Sequence, residues 1–290
     1  MSRPRSPDRR IGNLFIAPAA VVLVLMLVFP LAYTVHLSLH EWFAAGAPPR
    51  FAGLKNYVAL LADARFLNAL ARTLVYTTLA VGVEVALGVA LALMFARPFL
   101  GRGVARSIFL LPMVATPVAI ALVWLLMFDP ATGVLNHLLK LVGLKPSLWV
   151  NDSFLALPAL VLVDIWQWTP IVMLMVLGGL TALPEEPFEA ARIDGASTWQ
   201  IFRYLTLPMM RPYIMVAALF RGIDALKTFD SIYVITRGGP GFASETLNLY
   251  IYATAFDYLH FGSSSAMLVI FFLIVLSLSA VLIGLRRKAI

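Results

Sequence analysis

Long apolar runs decide what this chain can be. A helix rises about 1.5 Å per residue, so crossing the hydrocarbon of a bilayer takes roughly 20 apolar residues. Five stretches meet that requirement: 12–36, 70–96, 106–128, 155–181 and 263–285. A sixth, 210–236, is apolar at both ends and carries Arg221, Asp224, Lys227 and Asp230 between them. Its length fits one crossing, and an even number of spans keeps the basic C-terminus on the side of the basic N-terminus. With 61% of 290 residues hydrophobic and only 13% charged, a soluble fold could not hide the apolar surface. The expected fold is all-α, a polytopic membrane protein with six transmembrane helices over 12–285 and short tails at 1–11 and 286–290. The first apolar run is too long for a secretory leader and is interrupted by Pro30, so it reads as an uncleaved span.

The net charge of +7 reports topology rather than a nucleic-acid partner, because Lys and Arg in a membrane protein concentrate on the cytoplasmic side. Arg3, Arg5, Arg9 and Arg10 precede the first span, and Arg97, Arg102 and Arg106 separate the second from the third. Arg192, Arg203 and Arg211 lie between the fourth and fifth, and Arg286, Arg287 and Lys288 follow the last. These 13 cations face seven on the opposite loops, which places both termini in the cytoplasm. On the outer side, segment 38–69 has the apolar spacing of one or two short amphipathic helices.

Several chemistries are excluded. Without cysteine there is neither a disulfide nor a thiolate metal site. His36, His40, His137 and His260 lack metal-ligand spacing, and no nucleophile elbow is present. Gly238-Gly239-Pro240-Gly241 is glycine-rich but lacks the Lys-Ser/Thr that would hold a phosphate. No catalytic residue, metal or cofactor is therefore expected on this chain. If ATP drives it, ATP and magnesium belong to a separate subunit.

The cytoplasmic loop 184–208 carries the most local information. Pro184 and Pro187 with Glu185, Glu186 and Glu189 suit a helix start, where proline is tolerated and acids complement the dipole. Ala190 and Ala191 leave room for a close approach, and Gly195 supplies a left-handed end to the helix. Ser197-Thr198-Trp199-Gln200 is a capping box that restarts a second helix, with Trp199 and Phe202 on one face. Pro208 and Pro212 then break that helix before the fifth span. Such a helix-turn-helix either rests on the bilayer or docks a partner, and periodicity leaves both open.

Residue order narrows the choice. Glu189-Ala190-Ala191, three residues, Gly195, nine residues and then Leu205-Thr206-Leu207-Pro208 resembles the EAA loop of ABC-importer permeases, Glu-Ala-Ala-x3-Gly-x9-Ile-x-Leu-Pro, with Leu205 replacing Ile. The resemblance implies a type I ABC importer permease fold. It also implies that Glu189, Ala190, Ala191, Asp194, Gly195, Leu207 and Pro208 couple the chain to an ATPase. Gly53-Leu54-Lys55-Asn56-Tyr57, Arg72-Thr73-Leu74-Val75-Tyr76-Thr77 and the run from Phe229 to Pro240 are similar to the carbohydrate-uptake branch of that family. The implied partners are a second, homologous permease subunit, two ATPase subunits carrying ATP and magnesium, and a periplasmic solute-binding protein, with membrane lipid around them.

Ionisable groups inside a bilayer are functional candidates by default. Arg221, Asp224, Ala225 and Thr228 fall on one helical stripe of the fifth span, flanked by Lys227. Arg221 with Asp224, or Asp224 with Lys227, can equally form an i,i+3 structural pair. By the same resemblance, Arg221, Ala225 and Thr228, and Gln167, Trp168 and Ile171 of the fourth span, occupy sugar-contacting positions. Gln167, Trp168, Arg221, Asp224 and Thr228 are thus expected to line the solute path. Arg221 would suit an acidic or heavily hydroxylated solute, and Trp168 the apolar face of a sugar ring. Glu84 reads as an interhelical hydrogen-bonding group, and Asp164 as a cap or vestibule residue. The rival readings are an ion-coupled secondary transporter using Glu84 and Asp224, a membrane-embedded enzyme, and a permease for peptides or phosphate.

Overall fold

The computed structural model describes residues 7–43, 46 and 48–287; Arg3, Arg5 and Lys288 lie outside them. The order is α1 (Pro7–Ser38), β1 (His40–Glu41), β2 (Arg50–Phe51), α2 (Lys55–Leu61), α3 (Ala64–Ala96), α4 (Arg102–Val114) and α5 (Pro117–Met127). Then follow α6 (Val134–Leu141), α7 (Ala156–Thr181), α8 (Glu186–Ile193), α9 (Thr198–Ile201), α10 (Leu207–Leu226), α11 (Asp230–Ile235), α12 (Leu247–Tyr252) and α13 (Phe261–Arg287). Among the described residues, four helical stretches are long and apolar enough to cross a membrane: Phe15–Ser38, Ala64–Ala96, Ala156–Thr181 and Phe261–Val281. The pair α4–α5 makes a fifth if its two halves form one span.

That pair departs from the single span expected over 106–128. The halves are bent by 97° at Ala115–Thr116, both in extended conformation with ψ 149° and 142°. The cause is Pro117, whose ring pushes the residue before it out of the helical region and whose fixed φ then starts α5 at its first turn. Pro112 and Pro170, by contrast, lie inside continuous helices.

The fifth expected span, 210–236, also differs. Its helix begins at Leu207, ends at Leu226 and gives way at 227–229 to the short α11. At 20 residues α10 is about 30 Å long, enough to cross, yet its charges keep it below the apolar threshold. Pro208 and Pro212 do not break the chain before it. The five residues Phe202–Thr206 form a π-helical turn, after which Pro208 sits in the first turn of α10, where no N–H is required.

The chain divides into two packed units, 1–63 with 251–272 and 64–250 with 273–290. In the first, α1 leaves its apolar side chains from Phe15 to Phe29 exposed, as a lipid-facing helix does, while Leu37 near its end is buried. Segment 38–69 adds an unforeseen hairpin in which His40 pairs with Phe51 and Glu41 with Arg50. Asn56 of α2 ties it down by donating to the backbone oxygens of Ser38 and His40 at 2.8 and 3.0 Å. In the second unit, α7 is the central element, packed on α3 and α10. One buried cluster joins Tyr76, Trp124, Phe128, Leu160 and Ile232, and another joins Phe95, Val172, Met173, Val176, Met210 and Ala217.

Close approach of α3 to α7 depends on Gly88. A Cβ there would stand 2.5 Å from Val172 Cγ1 and 3.1 Å from the Met173 backbone nitrogen. Without a hydrophobic drive between helices in lipid, such small-residue contacts carry the packing. Gly88→Ala is therefore expected to lower stability by about 1–3 kcal/mol through overpacking. Thermal unfolding of the purified protein checks this, with Gly82→Ala, whose Cβ meets nothing within 4 Å, as the neutral control.

Candidate functional site

Three helices bring four charged groups to a common point. Arg221 of α10 is fully buried, and its Nε and Nη2 donate to the Glu84 carboxylate of α3 at 2.7 and 3.0 Å. Nη2 also donates to Asp164 of α7 at 2.8 Å, and Nη1 to Asp224, one turn further along α10. Glu84 has no exposed side-chain surface and Asp164 only 3%, whereas Asp224 keeps 44%. The guanidinium face lies 5.2 Å from the Trp168 ring centroid, within cation–π range. The planar fork of arginine suits this arrangement, since it meets several carboxylates at fixed angles at once.

Beside this cluster is a cleft of about 170 Å³, open on one side and lined by Pro117, Asp164, Trp168, Asp224, Lys227, Thr228, Phe229, Asp230 and Ser231. Complete small-molecule sites usually run to 300 Å³ or more, so this is one wall of a site rather than an enclosed chamber. The break at Pro117 and the unwound stretch 227–229 both border it. Each frees the backbone from helical packing and turns side chains into the cleft.

Trp168, Asp224 and Thr228 are thus brought together, as expected for a solute path. Thr228 arrives differently from the expectation, because it lies beyond the end of α10 and not on a helical stripe with Arg221 and Asp224. Arg221 stands behind the wall, sealed by its carboxylates, and does not line the cleft. Gln167 is not at the cleft either. On α7, Asp164 and Trp168 lie at i and i+4 on the cleft side, and Gln167 points about 100° away from Trp168. It is buried, and its Nε2 has no hydrogen-bond partner among the described residues. Lys227, Asp230 and Ser231 line the cleft beyond the expected set, and Asp164, expected as a cap or vestibule residue, lies on it too. The legible signal for Asp164 was a lone acid in an otherwise apolar span opposite a lone arginine.

The loop 184–208 has the expected helix, glycine turn and capped second helix. Helix α8 has Glu186 and Glu189 in its first turn, and Gly195 follows it with φ +78°. Ser197 then caps α9: its hydroxyl accepts from the Gln200 backbone N–H at 3.3 Å, and Gln200 Oε1 accepts from the Ser197 N–H at 2.7 Å. The Trp199 and Phe202 rings lie 5.5 Å apart, tilted by 38°. Ala191, Asp194, Gly195, Gln200, Tyr204 and Leu205 enclose a hollow between the two helices. Ile193, Trp199 and Tyr204 remain exposed around it.

Comparison with known proteins agrees with this architecture. The chain is 41% identical over 271 residues to a probable ABC transporter permease protein y4oQ of Sinorhizobium fredii, covering 93% of this chain and 87% of that one. It is 35% identical over 289 residues to the trehalose/maltose transport system permease protein MalF of Thermococcus litoralis, covering 99% and 97%. To the sulfoquinovosyl glycerol transport system permease protein SmoG of Agrobacterium fabrum it is 35% identical, covering 97% and 91%. Its fold matches a chain of a bacterial ABC transporter that imports the acidic polysaccharide alginate, with a TM-score of 0.83 at 21% identity, covering 97% and 96%. Residues 84–288 match the family described as the binding-protein-dependent transport system inner membrane component. The chain belongs to that family: it is the membrane permease subunit of a binding-protein-dependent ABC importer, and not its ATPase.

Proposed function

We propose that this permease carries a sugar, polyol or related carbohydrate by alternating access, as one of two different permease subunits served by two ATPases. The cleft is the observation that carries this reading. An aromatic ring at Trp168 can cover the apolar face of a sugar, while Asp224, Thr228 and Ser231 beside it supply hydroxyl-bonding oxygens. Relatives named for trehalose/maltose and sulfoquinovosyl glycerol transport support the same class. An open wall of this size also calls for a second permease to complete the site.

In this reading all six expected spans cross the bilayer, with α10 as the charged fifth and both termini cytoplasmic. The loop built from α8 and α9 docks in the ATPase through Glu189, Ala190, Ala191, Asp194 and Gly195, with Leu207 and Pro208 joining it to α10. Exposed Ile193, Trp199 and Tyr204 around a hollow are what a docking knob presents, since large apolar side chains seldom stay in water without a partner. ATP and magnesium bind the ATPases, and ATP drives transport only by favouring one of the two permease states. The test is energisation. Uptake of labelled maltose or trehalose by cells expressing the complete importer is expected to stop on ATP depletion and to survive an uncoupler. The reverse pattern would establish the ion-coupled alternative.

A further inference from the structure

We infer that the cleft selects neutral polyhydroxylated solutes and rejects glycosides bearing a carboxylate, sulfonate or phosphate. The inference rests on the carbohydrate reading and adds the charge class of the cargo. Sequence reasoning made Arg221 a candidate clamp for an acidic solute. The structure removes it from that role in three ways. It is fully buried, its Nε, Nη1 and Nη2 already donate to Glu84, Asp224 and Asp164, and its Cζ lies over the Trp168 ring, 5.2 Å from the centroid.

What faces the cleft is acidic. Asp164, Asp224 and Asp230 line it, with Lys227 as the one cation among the lining residues. Adding the Glu84–Arg221 pair behind them, four carboxylates stand against two cations, a formal charge of −2. With one of the buried carboxyls protonated the balance is still negative. A sugar hydroxyl donates to such oxygens and gains from them, whereas an anionic substituent within about 5 Å of the uncompensated charge is repelled. At the effective dielectric of a partly solvated site, on the order of 20, that repulsion amounts to roughly tenfold to a few hundredfold in affinity. Water reaching the open side reduces it toward the lower figure.

The complete membrane complex, purified without its binding protein, is titrated with maltose and with trehalose. The same sugars carrying a carboxylate at C6 of one ring are titrated in parallel, and binding is read from the shift in melting temperature. The neutral sugar is expected to bind at least tenfold more tightly than its carboxylated counterpart. In the double variant Asp224→Asn with Asp230→Asn, that ratio should fall severalfold; both side chains reach solvent, and an amide oxygen at 224 still accepts from Arg221 Nη1. Equal or tighter binding of the carboxylated sugars by the wild type, or an unchanged ratio in the variant, overturns the inference while leaving the carbohydrate reading intact. Binding of none of these sugars removes the carbohydrate reading and this inference with it.

Discussion

Arg221→Met is expected to be the most damaging single substitution in this permease. Glu84 and Asp164 would remain between apolar helices, without the cation to which both are bonded. Truncating one partner of a buried ion pair typically costs about 3–5 kcal/mol, because the remaining charge can neither return to water nor find another partner. Lipid outside the bundle makes that escape harder. Arg221→Lys should recover only part of the loss, since a compact ammonium cannot span Glu84, Asp164 and Asp224 as the guanidinium fork does. The diagnostic variant is the triple one, Arg221→Met with Glu84→Gln and Asp164→Asn, in which no buried charge is left unpaired. Its melting temperature should lie well above that of Arg221→Met alone. If the single variant melts with the wild type, the cluster contributes nothing to holding α3, α7 and α10 together. If the triple variant is no better than the single one, the loss comes from side-chain shape and not from charge.

The same cluster marks where sequence reasoning stops. Spans, capping box and Gly195 turn were legible because each is a local pattern: an apolar run, a Ser-x-x-Gln, a glycine where a left-handed φ is needed. Arg221 could be singled out as well, since a lone arginine in an apolar helix needs a reason. Its partners could not be ranked. Asp224 is its neighbour by helical spacing, but Glu84 and Asp164 lie 137 and 57 residues away, and only the packing of three helices brings them within 3.0 Å. The misplacement of Thr228 has a related origin. Hydropathy continued the fifth span to 236, whereas the chain leaves the helix at Lys227. Pro117 stands in plain view in the sequence, but a kink and a 97° break have the same sequence signature. Neighbouring backbone, invisible to the sequence, decides between them. Both misreadings fall at the cleft, where irregular backbone is tolerated because it lines a cavity.

Coupling has a sharper test at the other end of α10, because Gly195 separates folding from docking. Its φ of +78° favours glycine, but a Cβ there meets nothing within 4 Å, so the only local cost of a side chain is the left-handed backbone. That cost is about 1–2 kcal/mol for most residues and smaller for Asn and Asp, which visit this region more readily than other side chains do. Gly195→Asn should therefore leave the melting temperature of the permease almost unchanged, as should Gly195→Asp. The two variants present nearly the same shape to a partner and differ by one charge, placed next to the existing Asp194. If α8 and the turn after it seat in an ATPase cleft, Gly195→Asn impairs uptake moderately. Gly195→Asp should lower it at least tenfold, with the ATPase lost on purification or hydrolysing ATP without transport. Wild-type uptake by Gly195→Asp would leave the hairpin as a surface-lying element and move the drive elsewhere. A defect accompanied by a lower melting temperature would be charged to the backbone instead. Because the open space around Gly195 makes that second outcome the less favoured one, uptake and melting measured on the same preparations are enough to tell whether this turn transmits force.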